Sequence, residues 1–171
     1  TAEISIHAAL TGHLVFSTLH TNDAPGAITR LQDMGVEGYL VTSVLDGVLA
    51  QRLVRRTCAQ CKKEVKPDPN DLRTLGIEAA EPGVRVYRGA GCEECRGTGY
   101  RGRTGIYELL PVTEEIRSMI LRKSPTGEIR RRAIELGMST LRADGFAKAR
   151  AGITTIEEIL RVTQEDEIPS S

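Results

Sequence analysis

Four cysteines form two pairs whose spacing suits a metal ion. Cys58-Ala-Gln-Cys61 and Cys92-Glu-Glu-Cys95 are Cys-x-x-Cys knuckles, and thirty residues lie between them. Each knuckle can turn two sulfurs toward one point, so the pair offers four thiolates to a tetrahedral Zn²⁺ ion. Because all four ligands would come from the protein, the predicted zinc site at Cys58, Cys61, Cys92 and Cys95 is structural and not catalytic.

Three alternatives to zinc stay open at the level of the sequence. Disulfides require an oxidising compartment, and nothing in the sequence points to one. A thioredoxin-like redox pair accounts for one knuckle and leaves the other unexplained. An iron–sulfur cluster also takes four cysteines. The presence of two complete knuckles favours zinc over all three.

Two histidines flank a short apolar run near the start of the chain. In TGHLVFSTLHTND, His13 precedes the run and His20 follows it. The continuous apolar character predicts that residues 13–19 form a central parallel strand buried on both faces. Ligands bind at the carboxyl ends of such strands, so His20 is a candidate to bond a phosphate oxygen or orient an attacking water. Spacing alone favours the ordinary interpretation, in which such a histidine bonds to backbone.

The composition is that of a core-forming globular chain. Of 171 residues, 40% are hydrophobic and 27% charged, and 23 basic residues balance 23 acidic ones. This balance excludes a disordered charged tail or a low-complexity chain. No apolar stretch is long enough to cross a bilayer. Tryptophan is absent and only six residues are aromatic, which weakens an interpretation based on base stacking.

Helical patterns surround the run at 13–19. Residues 1–11 have helical spacing, and Asn22 or Asp23 can cap a second helix that ends before Gly35. Apolar pairs recur every four residues over 38–53, which predicts a further helix. A strand flanked by helices favours an α/β fold.

The middle of the chain differs in charge from its two ends. Residues 51–103 carry twelve basic and seven acidic side chains, a net charge of +5. This segment contains all four cysteines and a strand candidate at 84–89, so we interpret it as a small insert. The sequence after it is predicted to be mostly helical, with a helix over 124–137 and a capping box formed by Thr155 and Glu158.

The motifs in order resemble a known family of motors. The segments TAEISIHAALTGHLVFSTLHTNDAPGAITRL, CRGTGYRGRTGIYELL and ADGFAKARAGITTIEEILRVT, with the two knuckles between them, are similar to the C-terminal half of GspE/PilB-type secretion ATPases. The resemblance implies a partial RecA-like ATPase core over 1–56, a tetracysteine zinc insert over 57–103, a helical C-terminal subdomain over 104–165 and a tail over 166–171.

The resemblance also implies a function and partners. The parent protein would be a homo-hexameric, cytoplasmic ATPase that uses ATP and Mg²⁺, docks on an inner-membrane platform protein and drives pilus or pseudopilus assembly. His20, and less securely His13, match the family's histidine box near the γ-phosphate. Retraction motors of the family typically lack the zinc insert, so its presence favours the assembly or secretion role. The resemblance implies no nucleic-acid partner.

One motif of the family is absent from this sequence. No Gly-x-x-x-x-Gly-Lys-Ser/Thr loop occurs in the chain, and neither does the acidic segment that holds the metal-associated carboxylates. We therefore expect the chain to be a fragment of the motor, inactive by itself because it lacks the phosphate cradle. The alternative hypothesis is a stand-alone zinc-ribbon module that binds nucleic acid through its basic middle.

Overall fold

The computed structural model describes residues 2–74 and 84–163. Within those ranges the chain forms eight α-helices and four β-strands. In chain order they are α1 (Ala2–Leu10), α2 (Ala24–Asp33), α3 (Gly38–Val44), β1 (Gly47–Thr57), β2 (Lys62–Val65), α4 (Pro69–Thr74), β3 (Val86–Gly89), β4 (Tyr100–Pro111), α5 (Glu114–Leu121), α6 (Thr126–Glu135), α7 (Leu141–Arg150) and α8 (Ile156–Val162). The predicted tail over 166–171 lies outside the described residues.

The chain divides into two compact units, each built from two separate stretches of sequence. The first unit comprises Thr1–Ala50 and Glu108–Ser139, and the second comprises Gln51–Tyr107 and Thr140–Ser171. No helix in the described ranges is both long and apolar enough to cross a membrane.

Strands β1 and β4 pair with each other. The pairing is antiparallel, because two backbone hydrogen bonds close its ends in opposite order along the chain. At one end the Val112 N–H donates to the Asp46 carbonyl oxygen, and at the other the Cys58 N–H donates to the Gly99 carbonyl oxygen. The donor–acceptor distance is 2.9 Å in both bonds. Strand β1 therefore ends directly before Cys58, the first of the four cysteines.

Helices α1, α2, α3, α5 and α6 of the first unit pack around one apolar core. Its largest fully buried members are Ile28, Val41, Leu110, Ile116, Ile120 and Ile129. The predicted start of α2 is confirmed, because the Asp23 carboxylate accepts a hydrogen bond from the Gly26 N–H at 2.7 Å. Gly35 follows the end of this helix with a φ of +87°, a conformation that side-chain-bearing residues seldom adopt.

The predicted buried strand over residues 13–19 is wrong. These residues belong to neither a strand nor a helix, and the side chains of Leu14 and Phe16 are 80% and 87% exposed. A strand requires a neighbouring strand to take its backbone hydrogen bonds, and in the described part of the chain both sheets are two-stranded and exclude this segment. The run is therefore an irregular, apolar and open segment.

The predicted helix over 38–53 is correct only in its first part. Helix α3 ends at Val44, and β1 begins at Gly47. Apolar residues four positions apart lie on one face of a helix. They also lie on one face of a strand, because strand side chains alternate between two faces. Val48 and Val54 lie on the more buried face of β1, whereas Leu49 and Leu53 lie on its exposed face.

The second unit combines the two-stranded hairpin β2–β3 with α7 and α8. The hairpin is antiparallel, with Lys62 opposite Gly89 and Val65 opposite Val86, and it confirms the strand predicted at 84–89. One apolar cluster of this unit comprises the buried residues Leu72, Val86, Ala149, Ile156 and Ile159. The helices predicted after residue 104 are confirmed within the described ranges.

Candidate metal centre and histidine segment

The four cysteine sulfurs form a compact cluster. All of them lie within 4.8 Å of one another. Cys58 Sγ lies 3.8 Å from Cys92 Sγ, Cys61 Sγ lies 3.8 Å from Cys95 Sγ, and the sulfurs of Cys92 and Cys95 are 3.7 Å apart. A regular tetrahedron with metal–sulfur bonds of about 2.3 Å has edges of about 3.8 Å. The cluster therefore has the dimensions of a tetrahedral tetrathiolate site.

These distances also bear on the disulfide alternative. A disulfide joins its sulfurs at about 2.05 Å, whereas all four cysteines here are free thiols. A redox pair formed by one knuckle alone does not explain why the sulfurs of both knuckles converge. The donor set, four soft sulfurs in tetrahedral array, suits zinc.

Strand ends and one tight turn place the four ligands. Cys58 directly follows β1, and Cys61 directly precedes β2. Cys92 precedes the 3-10 turn Glu93–Cys95, and its backbone N–H donates to Cys95 Sγ at 3.2 Å. The Gly99 N–H donates to the same sulfur at 3.2 Å. The Cys-x-x-Cys spacing thus closes a turn that aims two sulfurs at one point, as the sequence predicted.

A close backbone approach holds the hairpin against the second knuckle. A Cβ atom added to Gly89 would lie 2.1 Å from the Gly99 carbonyl oxygen, so only glycine fits at the end of β3. The next residue, Ala90, donates its N–H to the Cys61 carbonyl oxygen at 3.0 Å. The two knuckles are therefore linked by backbone contacts as well as by their sulfurs.

The pKa values of Cys95 and Cys61 are shifted in opposite directions. Burial alone would raise the pKa of Cys95, but the N–H groups of Cys92 and Gly99 point at its sulfur and lower its pKa to about 6. Burial raises the pKa of Cys61 to about 11, and its hydrogen bond to Cys95 acts in the same direction. The backbone N–H groups thus favour the thiolate of Cys95, whereas a bound cation would displace the proton of Cys61.

The basic segment around the cluster is paired in part with carboxylates. Four of its arginines form ion pairs with carboxylates within the second unit. The pairs are Arg55–Glu158, Arg85–Glu64, Arg88–Glu157 and Arg101–Glu94. These ion pairs reduce the free basic charge of the segment, which a nucleic acid would otherwise meet.

The histidine segment belongs to the first unit. His13 Nδ1 lies 3.0 Å from Thr11 Oγ1 and 3.3 Å from the Ala8 carbonyl oxygen, which ties its ring to the end of α1. His20 is exposed near the other end of the segment. Thr21 Oγ1 then donates to the Asp23 carbonyl oxygen at 3.1 Å, just before α2. The imidazole of His20 is therefore open to a ligand, whereas that of His13 is partly engaged.

Sequence reasoning missed Glu108, a buried carboxylate of the first unit. Its side chain accepts a hydrogen bond from the Ala24 N–H at 2.9 Å, at the start of α2. A signal was present, because Ile106, Glu108 and Leu110 alternate along β4 and all three lie on its buried face. A glutamate in an inward register requires a buried partner.

Comparison with known proteins supplies the family. Residues 1–161 match the family described as Type II/IV secretion system protein. The chain is 58% identical over 166 residues to the type IV pilus assembly ATPase PilB of Thermus thermophilus, covering 96% of this chain and 19% of that protein. It is 52% identical to the type II secretion system protein E of Pseudomonas aeruginosa, covering 97% of this chain and 33% of that protein. The chain thus spans between a fifth and a third of the length of these two curated relatives.

A solved structure supports the fold. The crystal structure of the pilus retraction motor PilT with bound ADP is similar to this chain with a TM-score of 0.60 and 23% sequence identity, over 96% of this chain and 36% of that one. The predicted α/β class, in the sense of a mixed helix and strand fold, is confirmed, as are the four-cysteine cluster and the helical C-terminal part. On the family match, which covers most of its length, the chain belongs to the type II/IV secretion system protein family.

Proposed function

We propose that this chain is the C-terminal part of an ATPase motor that hydrolyses ATP to power pilus or pseudopilus assembly. Its relatives include proteins named as a type IV pilus assembly ATPase and a type II secretion system ATPase. The observation that carries the assembly role is the tetracysteine cluster, since the resemblance assigns such an insert to assembly motors and not to retraction motors. Either a pilus or a secretion system is compatible with this role.

Zinc is the proposed occupant of the cluster, and its role is structural. Cys58, Cys61, Cys92 and Cys95 would be the four ligands, and the sulfur spacing fits a tetrahedral ion. A closed tetrathiolate site cross-links two segments that are distant in sequence and contributes its binding free energy to folding. Purified protein should contain one zinc per chain, and Cys92→Ser should lose it. A metal-free native protein would contradict the assignment.

The proposed catalytic residue is His20, and His13 is the less secure candidate. Support comes from the histidine-box resemblance and from the exposure of His20. The phosphate-binding loop does not occur in this sequence, so the residues present do not fit an ATP·Mg²⁺ site by themselves and we assign no step of the reaction here. In the complete motor, an open imidazole can hydrogen-bond a phosphate oxygen or a water.

The remaining proposals concern assembly and location. The complete protein would form a homo-hexamer in the cytoplasm and reach the inner membrane through a platform protein. Residues 1–56 would complete the ATPase core, 57–103 would form the zinc insert and 104–165 the helical subdomain. Nucleic acid is not a proposed partner, because four arginines of the basic segment already pair with carboxylates.

A genetic experiment tests the proposed function. Deletion of the gene encoding this chain should abolish either surface pili or type II secretion, and the wild-type gene should restore what was lost. The Cys92→Ser gene should fail to restore it. If deletion changed neither process, the motor assignment would be wrong. Tight binding of DNA or RNA with a steep salt dependence would instead favour the zinc-ribbon alternative.

A further inference from the structure

We infer that metal binding at the tetracysteine cluster and the docking of α8 are thermodynamically coupled through the residues that precede α8. The inference rests on the proposed zinc site and goes beyond it, because it assigns the insert a specific target in its own unit. That target is the segment 152–158, which comprises the turn after α7 and the first residues of α8.

The first contact lies at the end of β1, next to a ligand. The Thr57 N–H donates to the Ile153 carbonyl oxygen at 2.9 Å. The adjacent Cys58 donates its N–H to the Gly99 carbonyl oxygen at 2.9 Å. One short stretch of backbone therefore holds the turn before α8 and presents the first sulfur of the cluster.

The second contact begins at the other knuckle. Gly99 donates its N–H to Cys95 Sγ, and the next residue, Tyr100, reaches α8. The Tyr100 hydroxyl lies 2.9 Å from Thr155 Oγ1. Thr155 is the N-cap of α8, since its side chain accepts the Glu158 N–H at 3.3 Å. Tyr100, which follows the glycine bonded to Cys95 Sγ, thus contacts Thr155, the N-cap residue of α8.

The third contact centres on Glu158, whose side chain is 1% exposed. Its carboxylate accepts the backbone N–H of Arg55 at 2.9 Å and the Arg55 guanidinium at 2.6 Å. Thr154 Oγ1 donates to the Arg55 carbonyl oxygen at 2.9 Å, and the guanidinium stacks 4.1 Å from the Tyr100 ring centroid. Arg55 is therefore held on both sides by the segment that begins α8.

The hairpin supplies a fourth contact from beside Cys61. Lys62, the next residue, donates from Nζ to the Gly152 carbonyl oxygen at 3.4 Å. Gly152 has a φ of +70°, and a Cβ there would lie 2.9 Å from Cδ2 of Tyr87 on β3. Arg88 of the same strand forms an ion pair with Glu157. The hairpin thus packs closely against the same turn and helix.

The spacing of these contacts explains the coupling. Thr57, Lys62 and Tyr100 each lie within one residue of a metal ligand or of a residue bonded to one. Loss of the ion releases the cross-link between the two knuckles, so the groups that hold α8 lose their fixed positions. Because coupling free energies are reciprocal, weakening the docking of α8 must also weaken metal binding.

Hydrogen exchange on the full chain tests the forward direction. Zinc removal with a strong chelator should raise deuterium uptake in 153–162 together with uptake in 58–65 and 86–100. Helices α2 and α6 of the first unit serve as internal references and should not change. If the knuckles lost protection and α8 kept it, the coupling would be overturned. If neither changed and no zinc was found, the zinc site itself would fail, which is a distinguishable result.

Zinc affinity of variants tests the reverse direction. Glu158→Gln should weaken zinc binding by about tenfold in a competition titration with a chromophoric chelator. Glu115→Gln removes the same charge from an ion pair of the first unit and should leave the affinity unchanged. Should Glu158→Gln prove unfolded, Tyr100→Phe removes only the hydroxyl contact to Thr155 and should weaken zinc binding by about two- to threefold. Unchanged affinity in a folded variant would overturn the inference.

Discussion

The carboxylate of Glu108 accepts a hydrogen bond from the backbone N–H of Ala24 at 2.9 Å, although 84 positions separate the two residues. Glu108 is 2% exposed, and it reaches the N-terminus of α2, where a negative charge is stabilised by the helix dipole. Asp23, the N-cap of that helix, also forms an ion pair with Arg130 of α6. These contacts fix the point at which the exposed histidine segment enters α2.

Glu108→Ala should therefore destabilise the first unit. The change leaves the Ala24 N–H without this partner in a buried position and removes a charge from the helix N-terminus. We expect a loss of about 2 kcal/mol in the free energy of unfolding. Urea denaturation followed by circular dichroism measures it. Glu115→Ala, which breaks an exposed ion pair with Arg132, is the control and should cost less than about 1 kcal/mol. Equal costs for the two variants would contradict the role of Glu108.

Glu158 should make the stability of the second unit depend on pH. Burial by itself raises the pKa of this carboxyl, but the hydrogen bonds from Arg161 and Arg55 outweigh it and lower the pKa to about 2. In an unfolded chain the pKa of a glutamate is about 4.3. The pKa of Glu158 is lower in the folded chain than in the unfolded chain. Its contribution to the free energy of unfolding is therefore complete above about pH 4.5 and is lost as the pH falls toward 2.

The variant Glu158→Gln isolates this contribution from those of the other carboxylates. At pH 7 it should be less stable than the wild type by about 3 kcal/mol, since two arginines lose a buried partner. The difference should shrink as the pH falls below about 4.5. Denaturant titrations at steps of pH give the difference directly. A difference that is constant from pH 7 to pH 2.5 would show that the ionised carboxylate does not stabilise the fold.

Gly89→Ala should disrupt the contact between the hairpin and the second knuckle. The new methyl group would overlap the Gly99 carbonyl oxygen, and neither backbone can move without disturbing β3 or the sulfur-bonded turn. We expect a cost of about 3 kcal/mol. Gly127→Ala is the matched control, because no atom lies within 4 Å of its added Cβ. At that helical position alanine should be neutral or stabilising by up to about 1 kcal/mol. Thermal unfolding of both variants decides, and a stable Gly89→Ala protein would refute the steric argument.

The sequence was most informative where local chemistry decides the structure. The two knuckles, the Asp23 cap and the strand at 84–89 depend on short-range spacing and were predicted correctly. The prediction of a strand at 13–19 was wrong because a strand needs a neighbouring strand to pair with, and the described part of this chain provides none for it. The prediction that the helix continues to residue 53 was wrong because a four-residue apolar repeat is compatible with both a helix and a strand.

Long-range partners explain the remaining differences. The predicted capping box is formed only in part, since Thr155 accepts the Glu158 N–H but the Glu158 carboxylate binds Arg55, 103 residues away. Likewise, the alternation around Glu108 indicates an inward register but not that Ala24 is its partner. Such pairings depend on tertiary structure and leave no local signature in the sequence.

The most direct test of the motor assignment is steady-state ATP hydrolysis by the full-length protein and its His20→Ala variant. We predict that the wild type hydrolyses ATP and that His20→Ala lowers kcat by about a hundredfold with little change in KM. His7→Ala, which changes an exposed histidine of α1, should behave as the wild type. A full-length protein without ATPase activity would contradict the motor assignment. A His20→Ala variant with wild-type kcat would exclude His20 from the chemical step.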